Sequence, residues 1–248
     1  MKRIIAIAFL LAGTVLIGQS VSDLLTQADQ LHEDNNYDQV FTVLKQAESM
    51  EPDNFEVIWR LARAHFDLSD NTTDEEAISK NVYAGFDYAK RALEMNPDRA
   101  ESHKWYGILI GRVGELEGTE QKIKNSYLVA EHTLKAIELD PTDDGNYHVM
   151  GRWNYTLADL SWIERTVAGL VYAEPPEASF EDARDFFQKA INIDPTAIRN
   201  YVWLGKTYEE LDDDDAAATA YKKALSLPAD TDSDRILQDE ARDLLEDL

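Results

Sequence analysis

The chain contains 248 residues, no cysteine, and 48 acidic against 24 basic side chains, so its formal net charge is −24. The lack of thiols excludes disulfides, cysteine-ligated zinc, iron–sulfur clusters and thiol nucleophiles. The negative charge argues against nucleic acid as a partner, because phosphate backbones need an electropositive surface. A content of 44% hydrophobic and 10% aromatic residues is typical of a folded protein with a substantial core.

The first twenty residues predict a signal peptide. Met1-Lys2-Arg3 is a short cationic start, and an uncharged, mostly apolar run follows from residue 4 to residue 18. Gly18-Gln19-Ser20 offers the small residues that are typical of a cleavage site. An uncleaved membrane anchor is the alternative, although the run is short for a spanning helix of about 20 residues. We therefore expect an exported protein, periplasmic or secreted, with a signal peptide over 1–20 and one domain over 21–248.

Five segments share one pattern, the end of an amphipathic helix that is stopped by a proline. They begin at Ala47, Ala92, Ala136, Ala190 and Ala224. Successive alanines are 45, 44, 54 and 34 residues apart, and 34 is the period of the tetratricopeptide repeat, a helix–turn–helix unit. Upstream of each ending, another helical pattern places a small residue among large ones, at Ala28, Ala62, Gly107, Gly151 and Gly205. Small residues at these positions would let two helices approach closely.

Additional helix accounts for the repeat spacings that are longer than 34 residues. Spacings of 45 and 44 add about three turns of helix, so the second helices of two repeats are predicted to be lengthened, with Thr73 and Glu76 as a capping box at one start. In the fourth spacing, residues 160–172 predict an inserted apolar helix, and Ser179 with Asp182 opens the next one. Gly111, Gly114 and Gly118 are assigned to the turn of the third repeat.

These patterns predict an all-α fold. It is a tetratricopeptide-like solenoid of about five helical hairpins, with lengthened second helices, one inserted helix and a C-terminal capping helix over 232–248. A capping helix is expected because a solenoid needs a polar face at its exposed end.

An ordered set of short motifs resembles the regulator of microtubule dynamics protein family. The motifs are His103-Lys104-Trp105-Tyr106, Gly151-Arg152-Trp153, Leu160-Ser161-Trp162, Pro175-Pro176 and Leu204-Gly205-Lys206. The resemblance covers roughly residues 23–227 and implies a non-catalytic, tetratricopeptide-like interaction protein. The family name implies microtubules as a partner, and one branch is linked to lipid binding. An export signal and a surface that repels the acidic tails of tubulin both argue against microtubules here.

No motif for catalysis, metal or cofactor binding is found. A nucleophile elbow, a phosphate-binding loop and a dinucleotide fingerprint are all missing. The five histidines are too widely spaced for a metal-binding helical pair, and no acidic stretch has the EF-hand pattern. We therefore expect no enzyme activity, no metal and no cofactor.

One set of residues predicts a binding surface. In a tetratricopeptide array the first helix of each hairpin lines the concave groove, and the residue after its small residue faces that groove. These residues are Asp29, Arg63, Ile108, Arg152 and Lys206, with Trp59, Lys104 and His148 three positions before the small residue. The candidate ligand-binding residues are Arg63, Lys104, Arg152, Lys206, Trp59 and His148. An arginine such as Arg152 could give a bidentate bond to a carboxylate or phosphate.

Alternatives to this groove remain open. The bases could instead neutralise acids on facing helices, while Trp59, Trp105 and Trp153 belong to the core. If the groove binds a ligand, we expect a protein or peptide partner, with an acidic end in one version. The other hypothesis is a lipid or small amphiphile carrier, in which Ile163, Val167, Leu170 and Val171 line a closed apolar pocket with a basic rim.

Overall fold

The computed structural model describes residues 19–171 and 174–248, and it folds these residues into twelve α-helices without a strand. The helices are α1 (Val21–Glu33), α2 (Tyr37–Met50), α3 (Phe55–Asp70), α4 (Glu75–Met95), α5 (Ala100–Glu117), α6 (Thr119–Leu139), α7 (Asp144–Ala158), α8 (Trp162–Val171), α9 (Phe180–Ile193), α10 (Ile198–Glu210), α11 (Asp214–Ser226) and α12 (Asp232–Asp247). None of these helices is long and apolar enough to cross a membrane. The predicted signal peptide lies outside the described residues, apart from its last two positions.

The helices form five antiparallel hairpins, as predicted. The first helices are α1, α3, α5, α7 and α10, and their partners are α2, α4, α6, α9 and α11. Helices α4 and α6 have 21 residues each, against 14 in α2, which confirms the lengthened second helices. Helix α8 is the insertion between α7 and α9, and α12 packs on α10 and α11 as the capping helix.

Close approach of the paired helices depends on the small residues. A Cβ atom added at Gly151 would lie 2.5 Å from the ring of Phe187 on α9. A Cβ atom at Gly205 would lie 2.3 Å from the ring of Tyr221 on α11. Both rings are completely buried. The small residue therefore makes room for a large aromatic side chain on the partner helix, as the sequence pattern suggested.

Two local predictions were wrong. The N-cap of α4 is Asp74, whose carboxylate accepts from the backbone N–H groups of Glu76 and Ala77, so Thr73 and Glu76 form no capping box. Gly111 and Gly114 lie inside α5, and only Gly118, at φ 92°, forms the turn to α6. Gly114 instead serves packing, because a Cβ atom there would lie 2.9 Å from the Cα atom of Lys122.

The core extends along the stack of hairpins. One buried cluster joins α1, α2 and α3, another joins α3, α4 and α5, and a third joins α9, α10 and α11. Ala241 of α12 is fully buried in this third cluster, so the capping helix covers apolar surface that would otherwise face water. Each of these clusters thus joins one hairpin to a helix of the adjacent hairpin, as expected for a solenoid.

Candidate functional site

Equivalent residues of the first helices form a row that we call the groove ladder, and it consists of Asp29, Arg63, Ile108, Arg152 and Lys206. Asp29 and Arg63 are 34 residues apart and form an ion pair at 3.0 Å. Lys206 pairs with Glu240 of α12, again 34 residues further on. Side chains one repeat apart therefore meet along this face. Glu240 extends the groove ladder onto the capping helix, which occupies the position of a sixth first helix.

At the N-terminal end of the groove ladder the cations are already neutralised. Asp29 accepts hydrogen bonds from both Arg60 and Arg63, and the two guanidinium groups lie 4.2 and 5.2 Å from the Trp59 ring. Trp59 is only 9% exposed and donates its indole N–H to Glu56 at 2.8 Å. Arg63 and Trp59 thus have mainly structural roles in this arrangement.

Lys104 on α5 is also paired. Its ammonium group lies 2.5 Å from the Asp143 carboxylate, and both side chains are about one quarter exposed. Asp143 is at the same time the N-cap of α7, where it accepts from the backbone N–H of Gly145. Lys104 therefore ties the third repeat to the start of the fourth, and its charge is not free for a ligand.

His148 is held as a neutral imidazole beside the groove ladder. Its Nδ1 atom lies 2.7 Å from the Asn200 Oδ1 atom on α10. Burial lowers the pKa of His148 well below its ordinary value, and the nearby charges of Arg199 and Arg152 lower it further, while the bond to Asn200 acts in the opposite direction. Because the Asn200 oxygen is an acceptor, Nδ1 carries the proton and Nε2 keeps its lone pair.

Arg152 is the exception among the predicted cations. It is exposed, it stacks 4.6 Å from the Trp203 ring centre, and it makes no ion pair or hydrogen bond within the described part of the chain. Desolvation by the surrounding protein lowers the pKa of its guanidinium, although the side chain remains open to water. Both facts fit a side chain in a concavity, and an arginine stays charged in such a place.

Acids on other repeats act on the charge of Arg152. The charges of Glu115 on α5, Asp70 on α3 and Glu240 on α12 all act to raise its pKa, against the effect of desolvation. These acids on three other helices partly offset the effect of desolvation on the charge of Arg152.

Trp203 links the two C-terminal cations, and the sequence analysis missed it. The Lys206 ammonium group lies 4.6 Å from the Trp203 ring centre, as does the Arg152 guanidinium, and Tyr155 packs edge-on against the same ring at 5.4 Å. Cation–π contacts of this kind hold the cations without neutralising them. Glu240 was missed as well, although the 34-residue period counted from Lys206 leads directly to it.

The closed apolar pocket predicted near α8 gains no support. Leu170 is 82% and Val171 is 63% exposed, so neither lines a closed cavity, and the side chains of Ile163 and Val167 lie outside the described residues. Two depressions on the described surface are open to solvent, with volumes of about 430 and 470 Å³. Within the described ranges, no three acidic or histidine side chains are grouped so that they could hold a metal ion.

Comparison with known proteins extends these findings. The family model for regulator of microtubule dynamics protein 1-3 matches residues 24–248. The mouse regulator of microtubule dynamics protein 1 is 41% identical over 96% of this chain and 78% of the relative. The Xenopus laevis regulator of microtubule dynamics protein 3 is 36% identical over 88% of this chain and 48% of the relative. Among solved structures, the thermophilic TPR protein TTC0263 of Thermus thermophilus aligns with a TM-score of 0.66 at 16% identity, covering 90% of this chain and 99% of that one. This likeness confirms the tetratricopeptide-like fold.

Proposed function

The chain belongs to the regulator of microtubule dynamics protein family, and we propose that it is a non-catalytic protein that binds a protein or peptide partner in its concave groove. In this proposal Arg152 takes an acidic end of the partner. The exposed, unpaired guanidinium of Arg152 over the Trp203 ring carries the proposal.

The neighbouring pairs define where an anion can bind. Asp29 and Glu240 satisfy the cations at the two ends of the groove ladder, so an incoming carboxylate would have to displace an acid there. At Arg152 no displacement within the described chain is needed. A planar guanidinium that is fixed against an aromatic ring can offer two parallel N–H donors to one carboxylate. Binding at this position is therefore the least costly along the groove ladder.

The names of the relatives suggest microtubules as a partner, and the charge of this chain argues for another one. A body with a formal charge of −24 repels the acidic tails of tubulin at long range. We propose instead a partner that presents a single carboxylate end. The prediction of export concerns residues outside the described part, and it would place this partner in the periplasm or outside the cell.

Peptide binding by charge-matched variants tests the proposal. Dye-labelled peptides from a random library, each with a free C-terminal carboxylate, would be compared with their amidated twins by fluorescence anisotropy on the purified protein. Arg152→Gln removes the unpaired cation. Arg184→Gln is the control, because it makes the same charge change at a residue that pairs with the adjacent Asp185 on a second helix.

We expect Arg152→Gln to weaken binding of the free-carboxylate peptides by about tenfold to a hundredfold, the range for charged hydrogen bonds, and to abolish their advantage over the amides. Arg184→Gln should bind as the parent does. Equal binding by the parent and Arg152→Gln, at unchanged helicity, would exclude Arg152 from recognition.

A further inference from the structure

Two histidines of the third hairpin meet through their rings. The Nδ1 atom of His103, in the first turn of α5, lies 2.9 Å from the Nδ1 atom of His132 on α6. Tyr106 packs against the His132 ring with the ring centres 4.3 Å apart, and both histidines are half-buried. The packing of α5 on α6 therefore holds the two imidazoles in contact.

The hydrogen bonds of His103 fix the direction of its lone pair. Its Nε2 atom lies 2.8 Å from the carbonyl oxygen of Pro97. Because a carbonyl oxygen only accepts, Nε2 carries the proton, and the Nδ1 atom of a neutral His103 presents its lone pair to His132. Histidines that bind metal ions are oriented in the same way, by a hydrogen bond from the other ring N–H to a carbonyl or carboxylate. His103 thus has the tautomer and the support of a metal ligand.

His132 can supply a second lone pair at the same place. In the neutral pair the proton between the two Nδ1 atoms belongs to His132, whose Nε2 atom makes no hydrogen bond within the described part of the chain. An ion that displaces this proton lets it move through water to Nε2, so the ring stays neutral. A rotation about χ2, which is a soft torsion in histidine, then aims both lone pairs at one ion.

The distance between the two nitrogens favours one kind of ion. Bonds of about 2.0–2.1 Å from one ion to two nitrogens that are 2.9 Å apart would enclose an angle of about 90°. Tetrahedral zinc would instead separate two nitrogens by about 3.3 Å. An angle near 90° is typical of the tetragonal geometry of Cu²⁺ and Ni²⁺, and Cu²⁺ binds nitrogen ligands most tightly among the divalent first-row ions.

Solvent and cations can reach the pair. His103 lines an open depression of about 430 Å³ together with Glu131, Lys135 and Glu138. Lys135 is paired with Glu138 at 2.9 Å, and the formal charge of −24 on the whole chain attracts cations. Among the described residues no third acidic or histidine side chain joins the pair as a ligand, so water would fill the other positions around an ion.

We propose that His103 and His132 bind one Cu²⁺ ion through their Nδ1 atoms, with water completing a tetragonal site at the edge of the depression. The ion would link α5 to α6 in addition to their packing. The expectation of no metal from the sequence considered histidine pairs along one helix, and it does not cover a pair that is 29 residues apart on two helices. This inference goes beyond the proposed function and does not depend on Arg152.

Copper titration of the purified protein, without a histidine tag, tests the site. Electron paramagnetic resonance should show one equivalent of Cu²⁺ with a tetragonal spectrum, and pulsed measurements should count two imidazole nitrogens. His103→Gln and His132→Gln should each weaken binding by about tenfold or more, because even the outer hydrogen-bond partners of metal ligands contribute about that much. His32→Gln is the matched control, since it removes a partly exposed histidine that lies beside Asp67, and it should bind as the parent does.

The outcomes separate this inference from the proposed function. A copper signal with fewer than two imidazole nitrogens, equal affinity of the parent and His132→Gln, or no binding by the parent would each overturn the proposed site. Circular dichroism checks that each variant is folded, and for a variant that is not, the nitrogen count on the parent decides. Arg152→Gln should bind copper as the parent does, so the loss of one proposal leaves the other standing.

Discussion

The contact between Gly205 and Tyr221 provides a direct test of how the hairpins are packed. A Cβ atom at position 205 would lie 2.3 Å from the nearest carbon of the Tyr221 ring. The ring is fully buried, and its hydroxyl donates a hydrogen bond to Glu209, so it has little freedom to move away. Forcing an extra carbon into such a core costs about 1–3 kcal/mol.

Alanine at position 205 also stabilises the helix itself, and this gain must be subtracted from the cost of overpacking. Replacing glycine by alanine inside a helix favours folding by about 1 kcal/mol. The net effect of Gly205→Ala is therefore a loss of up to about 2 kcal/mol in the free energy of unfolding. Gly111→Ala is the matched control within α5, because its Cβ atom meets only a methyl group of the partly exposed Val129, at 3.3 Å. We expect this control to be neutral or more stable by up to about 1 kcal/mol.

Urea unfolding followed by circular dichroism measures both variants. The free energy of unfolding of Gly205→Ala should be below that of Gly111→Ala by about 1–3 kcal/mol. Two variants of equal stability would show that Tyr221 does not pack against α10 as closely as described. An unchanged slope of unfolding free energy against urea would show that both variants lose the same structure on unfolding.

Two further predictions concern the groove. A double-mutant cycle with Lys206→Ala and Glu240→Ala should give a coupling of about 0.2–1 kcal/mol in unfolding free energy, as for other partly exposed pairs. A coupling of zero would show that the ion pair between α10 and α12 does not stabilise the fold. Because the pKa of His148 is lowered in the folded protein, the unfolded chain binds more protons below about pH 6.5, so stability should fall as the pH drops through that range. Urea unfolding at pH 7.5 and 5.5 measures this loss. Between these pH values the free energy of unfolding of His148→Gln should fall by about 1 kcal/mol less than that of the parent. Equal losses would contradict the buried, neutral imidazole.

The fold could be predicted because its signals recur. The proline stops and the small residues at Gly107, Gly151 and Gly205 each mark one element, and the same spacing repeated along the chain fixes the hairpins. Gly114 was assigned wrongly because glycine favours a turn and also permits close helix packing, and a sequence does not say which. The structure decides for packing, since the Cα atom of Lys122 lies against it.

The row of the groove ladder could be predicted, but its ion pairs could not. Residues that follow the small position share a helical face, so Arg63, Arg152 and Lys206 were placed together. Whether each cation meets an acid depends on the supercoil, which brings α12 beside α10 and turns Glu240 toward Lys206. The sequence gives little reason to assign Trp203 to the site, because only one of the other four repeats has a tryptophan at the equivalent position. The equivalent residues are Thr26, Arg60, Trp105 and Val149.

The register of the groove ladder explains why Arg152 is unpaired. Its neighbour one repeat earlier is Ile108, which carries no charge, and its neighbour one repeat later is Lys206, which Glu240 already neutralises. The aromatic ring of Trp203 stabilises the guanidinium without supplying a counter-charge. Because Arg152 is open to water, its unpaired state costs little in stability, and replacing it by glutamine should leave the fold intact. The free cation is therefore not needed by the packing, and in the proposed function the ligand supplies the missing carboxylate.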